Sequence, residues 1–184
     1  MQSAVFPETV ETERLQLRRC GPADAARVLA LVAENRAMLR RAFPQMAAVY
    51  TVEDAQAIIA VKEEHWRLRT TFCYLLRHRE TGELIGYLQV KNIAWEIPAA
   101  ELGYFIGSRW QRQGYASESL RALVRIVMQR LGFERIVLRI LPTNRESLGL
   151  ARKLGFHDEG LHRKAYRCGQ GELHDVRVLS IVKE

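Results

Sequence analysis

The chain has 184 residues, 48% of them hydrophobic and 27% charged, a length and balance that suit one globular domain spanning 1–184 and exclude intrinsic disorder. Its formal net charge of +7 favours anions such as phosphates, but the basic residues are scattered among acidic neighbours, so no direct nucleic-acid partner is expected. No apolar run approaches a membrane span, and Met1–Pro7 lacks the basic region and apolar core of a signal peptide. Cys20, Cys73 and Cys168 are few, odd in number and far apart, as reduced thiols in a cytoplasmic protein would be, and no Cys/His cluster has zinc spacing, so no metal is expected.

In chain order, Glu11 to Arg19 alternates with Leu15 and Leu17 on one side, which predicts a strand. Gly21-Pro22-Ala23-Asp24 breaks it and starts a helix to about Arg36. Arg36 to Tyr50 is less regular, with Phe43-Pro44 as a breaker. Thr51-Val-Glu-Asp opens a second helix on a capping-box pattern, with Trp66 on its apolar stripe. Thr71–His78 and Glu83–Lys91 flank Arg79 to Gly82 as a hairpin, and Ala100–Gly107 is a third strand of this group. A turn at Gly114 leads to a helix ending at Leu131, and Glu134–Leu141 reads as a buried strand. Glu146–Leu154 is a helix closed by Gly155. Phe156–Arg167 and Glu172–Val182 form a last hairpin around Gly169-Gln170-Gly171. The order implies a mixed α/β sheet of about seven strands with helices on both faces, the strands either side of the Gly114 helix being parallel.

The richest segment is Trp110-Gln111-Arg112-Gln113-Gly114-Tyr115-Ala116, where a strand feeds a glycine turn that opens a helix. Such a turn aims backbone N–H groups and the positive end of a helix dipole at one spot, which suits a phosphate. The segment is neither the dinucleotide fingerprint nor a P-loop. Gln111-x-x-Gly114-x-Ala116 resembles the pyrophosphate loop of the GNAT acyltransferases, Arg/Gln-x-x-Gly-x-Gly/Ala. Asn144-x-x-Ser147 followed by Lys153-Leu154-Gly155-Phe156 continues the resemblance in the family's order and spacing. Thr12-Glu13-Arg14-Leu15-x-Leu17-Arg18 and the Gly155-to-Gly160 run are similar to the RimJ/RimL-type ribosomal-protein N-terminal acetyltransferases.

The resemblance implies a mostly antiparallel GNAT-like sheet in which one parallel strand pair splays apart around acetyl-CoA (coenzyme A). Tyr104, Phe105 and Ile106 would offer backbone contacts to the pantetheine arm. The N–H groups of Arg112, Gln113, Gly114, Tyr115 and Ala116 would hold the pyrophosphate, with Gln111 and Lys153 nearby. Asn144 is either a helix cap alone or a cap that also binds the cofactor arm. Many family members carry a tyrosine acid where this chain has Ala151. Rim-type relatives use a serine one turn earlier, matched by Ser147, which would contact or protonate the leaving thiolate, or else simply satisfy local backbone. Glu101 is the candidate base, acting through water, or a strand-edge carboxylate. A glutamate found in some Rim-type members falls here at Tyr166. With Trp95 and His162, Tyr166 is a candidate for the acceptor pocket, whereas Trp66 is read as core.

The implied reaction is direct acetyl transfer to a primary amine, a protein N-terminal α-amino group of the ribosomal-protein type. The alternatives are a small amine (amino acid, polyamine or antibiotic) or a non-catalytic acyl-CoA-binding module. A homodimer is compatible with the pattern.

Overall fold

The structure, a computed structural model, describes residues 5–169 and 171–183. The readings that touch Met1–Ala4 and Gln170 therefore lie outside the described residues. Eight strands form one sheet in the order β1-β2-β3-β4-β5-β6-β8-β7: β1 Thr9–Glu11, β2 Leu15–Arg19, β3 Phe72–His78, β4 Leu84–Ala94, β5 Ala99–Ile106, β6 Arg135–Ile140, β7 His157–Arg167 and β8 Leu173–Val182. Every pairing is antiparallel except β5 with β6.

The expected seven strands become eight because the run read from Glu11 to Arg19 holds β2 and only the last residue of a further strand, β1, that begins before it. Thr12 folds back, its N–H donating to the Leu15 carbonyl at 2.8 Å, and Thr9–Glu11 pairs with β2 as a three-residue edge. Three residues are too few to display an alternation.

The helices are α1 Ala25–Ala42, α2 Pro44–Ala47, α3 Val52–Arg67, α4 Tyr115–Arg125 and α5 Arg145–Lys153; α4 continues in a wider π-helical turn, Ile126–Arg130. α1 runs a turn and a half beyond Arg36, because Leu39 has a buried place and Pro44 is the first residue that stops the ladder. Thr51 caps α3 as its sequence suggests: its hydroxyl accepts from the Asp54 N–H at 3.1 Å, and the Asp54 carboxylate accepts from the Thr51 N–H at 3.0 Å.

Alternation along β3 divides the core. Phe72, Tyr74 and Leu76 join Leu120, Leu123 and Val127 of the α4 region, together with Leu148 and Ala151 of α5, on one face. Cys73 and Leu75 join Val28, Leu31, Val32 and Leu39 of α1 and Ile59 of α3 on the other. Helices therefore cover both faces. Trp66 is buried at the end of α3, edge-on to Phe72 and Tyr74, as its helical stripe suggests. No helix among the described residues is long and apolar enough to cross a membrane.

Candidate active site

The parallel ladder between β5 and β6 is short. It pairs Ala99 with Arg135, Ala100 with Ile136, Glu101 with Val137 and Leu102 with Leu138, and there it ends. β5 continues to Ile106 hydrogen-bonded only to β4, and β6 continues to Ile140 paired only to β8. The facing edges of Gly103–Ile106 and Arg139–Ile140 thus have backbone groups without a strand partner, and a ligand carrying amides can complete them.

This divergence opens a cleft of about 920 Å³. Tyr104, Phe105 and Ile106 form one side, Leu141, Thr143, Asn144, Ser147 and Lys153 the other, and Gln111, Arg112, Gly114, Tyr115 and Ala116 the end. Ala37 to Phe43, the C-terminal turns of α1 and the residue after them, close the remaining side. The α1 residues of that wall and Glu146 are lining residues the sequence did not single out. The α1 part carried no signal, because its residues read as an ordinary amphipathic helix.

The loop at the cleft's end has the required backbone. Arg112 has φ 60° and Gly114 φ 86°, so two residues in three adopt the left-handed conformation and rotate successive N–H groups toward one side. Gly114 is also the residue before the first turn of α4, whose dipole adds positive potential. Gln113 is not on the cleft wall, and its side-chain amide donates to the Arg109 carbonyl at 3.1 Å. Gln111 lines the cleft, but its amide donates to the Ile106 carbonyl at 3.0 Å, tying the loop to the end of β5. The Arg112 guanidinium pairs with Glu146 of α5 at 2.6 Å across the cleft, with both side chains exposed.

On the α5 side, Asn144 is the N-cap: its Oδ1 accepts from the Ser147 N–H at 3.1 Å, which leaves its NH₂ group as a donor. Ser147 lies beside the Tyr104 phenol on the cleft wall. Burial pushes that phenol above its ordinary value, and the serine only partly offsets it. Tyr104 is therefore neutral and a possible donor at neutral pH.

The remaining candidates are dispersed. Glu101 is buried one rung before the ladder ends and is not on the cleft wall; Lys91 Nζ lies 3.0 Å from one of its oxygens and Asn92 Nδ2 donates to the other at 2.9 Å. Trp95 corrects the expectation of a pocket residue. It packs edge-on to Phe133, Phe72 and Phe6, donates Nε1–H to the Arg69 carbonyl and does not line the cleft. Its loop is folded onto the aromatic end of the core, which offers the indole more apolar contact than the cleft would. His162 sits exposed on β7 opposite Val176 and also lies off the cleft. Tyr166 is close to the cleft without lining it: its hydroxyl donates to the Arg41 and Ala42 carbonyls at the end of α1, both 3.1 Å away. Cys168, Glu172 and His174 converge in the last hairpin with their donor atoms within 4.8 Å of one another, a grouping the linear spacing hid; it lies away from the cleft.

The family model of the acetyltransferase (GNAT) domain matches residues 14–157. The chain belongs to this family. It is 31% identical to the N-acetyltransferase YoaA of Bacillus subtilis, over 97% of this chain and 98% of that one. It is 30% identical to the [ribosomal protein uS5]-alanine N-acetyltransferase of Escherichia coli, over 89% and 85%. Among solved structures it resembles the ribosomal L7/L12 α-N-protein acetyltransferase RimL in complex with coenzyme A, with a TM-score of 0.87 and 25% identity, covering 95% of this chain and 98% of that one. This GNAT protein is an acetyl-CoA-dependent N-acetyltransferase, its acceptor is an amine, and the relatives include RimJ/RimL-type enzymes.

Proposed function

We propose that the acceptor is the α-amino group of a protein N-terminus, of the kind RimJ/RimL-type enzymes modify. The observation that carries this reading is the near full-length relationship to the uS5-alanine N-acetyltransferase. The charge of the cleft supports it. Among its described lining residues Arg41, Arg112 and Lys153 are basic, and Glu146, already paired with Arg112, is the single carboxylate. A polyamine or aminoglycoside would meet cations there, whereas a chain end carrying one amine would not be repelled as strongly.

Bound acetyl-CoA supplies the thioester carbonyl that the amine attacks. The left-handed turn at Arg112 and Gly114 and the start of α4 hold the pyrophosphate, and the unpaired edges of β5 and β6 hold the amide-bearing arm. Ser147, beside Tyr104 at the divergence, donates a proton or hydrogen bond to the departing sulfur. An α-amine with a pKa of about 8 is mostly protonated at neutral pH, so it must lose a proton before attack. Glu101 takes that proton through water. Gly103 lies between Glu101 and Phe105 on the same face of β5, with the Gln89 amide packed over it.

The test is release of free thiol from acetyl-CoA with N-terminal peptides, amino acids and polyamines as separate acceptor classes, with the mass gain located on the product. Peptide-specific release supports the proposal; turnover confined to a small amine overturns it. Ser147→Ala should lower kcat about a hundredfold, as loss of a general acid does, while the Kd for coenzyme A is kept. Unchanged kcat would leave Ser147 as the capped residue of α5 and no more.

A further inference from the structure

The cofactor loop contains an internal conflict. Glu118 stands in the first turn of α4, immediately after the loop, and its charge would repel an anion bound at that helix end. The structure resolves the conflict from a distant part of the chain. The Thr12 hydroxyl donates to Glu118 Oε1 at 2.6 Å, the Arg14 N–H donates to the same oxygen at 2.8 Å, and Arg14 Nε donates to Oε2 at 2.8 Å. Arg14 Nη2 also pairs with that oxygen at 2.7 Å. Partial burial raises the Glu118 carboxyl, but these donors outweigh it and hold it below the ordinary range, so the group is charged and fully engaged at neutral pH.

Arg14 reaches further. Its Nη1 donates to the Gln113 carbonyl at 3.0 Å, its guanidinium lies 4.4 Å from the Tyr115 ring centroid, and Nη2 is 3.3 Å from where a Cβ on Gly114 would stand. One side chain thus contacts the residues on both sides of Gly114 and the back of Gly114 itself, while not lining the cleft. A carbonyl held from behind by a guanidinium cannot turn into the cleft, where it would oppose the phosphates.

We propose that Arg14, assisted by Thr12, is a positioning residue for donor binding: it fixes the Gln113–Tyr115 backbone with its N–H groups toward the cleft and neutralises Glu118 behind it. This explains why a short arm between β1 and β2, far from the loop in sequence, carries Thr12 and Arg14 together. It rests on assigning the pyrophosphate to this loop, and the experiment separates the two claims.

Calorimetric titration with coenzyme A comes first, on the parent protein. Ligand-observed NMR then measures pantetheine, which lacks the pyrophosphate. Arg14→Ala should weaken coenzyme A about tenfold, the scale of a charge-assisted hydrogen-bond set, and change pantetheine less than about twofold. Arg14→Ala/Glu118→Gln should recover part of the loss, because the unneutralised charge is gone. Thr12→Val, a milder change, should weaken coenzyme A about threefold and serves if Arg14→Ala folds poorly. Equal loss for both ligands, no loss for coenzyme A, or a double variant no better than the single one would overturn the role of Arg14. A parent protein that binds coenzyme A no better than pantetheine would overturn the loop assignment itself.

Discussion

Glu101 illustrates how far a residue's role depends on what touches it. Lys91 and Asn92 occupy both its oxygens, so it is a poor direct base for an ammonium, and the proposed role through water is the one left to it. Glu101→Gln keeps the shape and the Asn92 contact. It should lower kcat/KM about a hundredfold with the acceptor KM nearly unchanged, as loss of a general base does. A rate within about threefold of the parent would make Glu101 a structural partner of Lys91 alone. At this scale type and spacing pointed to Asn144 and Ser147, and both line the cleft. They failed for Trp95, since only the fold reveals that Phe6, Phe72 and Phe133 converge on the indole. They were also blind to the contacts of Arg14, whose partner Glu118 is 104 residues away along the chain.

At the scale of elements, the cleft depends on β5 being held tightly by β4 exactly where it loses β6. Gly86 of β4 pairs with Ile106, and a Cβ there would lie 2.5 Å from the Phe105 carbonyl. Gly86→Ala must push the two strands apart at the cleft's edge. Overpacking of this kind costs about 1–3 kcal/mol, so the urea midpoint should fall and the Kd for coenzyme A should rise in the same variant. An unchanged midpoint would show that the strands part freely. The sequence of strand, glycine turn, helix and strand was legible because each boundary is marked locally, by Gly114, by the Thr51 cap and by Gly155 at φ 90°. β1 was not legible, because its existence depends on pairing with β2 and not on any pattern of its own.

For the whole molecule, charge ties the last hairpin to the rest. Glu159 accepts from Arg135 and from the Ser180 hydroxyl, and these contacts bring its carboxyl down to about 2. Asp158, held by Arg177 at 2.9 Å and Arg152 at 3.1 Å, also lies below the ordinary value, as does Glu118. A depressed carboxyl stabilises the fold fully above its unfolded pKa and loses that contribution as pH falls through the folded one. Thermal midpoints should therefore hold steady above pH about 4.5 and decline toward pH about 2. Glu159→Gln should start lower at neutral pH and decline less steeply. Parallel curves for parent and variant would show that Glu159 does not carry the acid sensitivity.

The four-pair junction between β5 and β6 divides the sheet into five strands on one side and three on the other. A ligand that bridges the gap is then a keystone as well as a reactant. At a hundredfold excess over its Kd, any molecule bound only by the folded state adds about 2.7 kcal/mol to stability. The survival of this protein thus becomes coupled to the supply of its acyl donor: depletion leaves a seam that opens more often, and proteolysis would draw on that open population first.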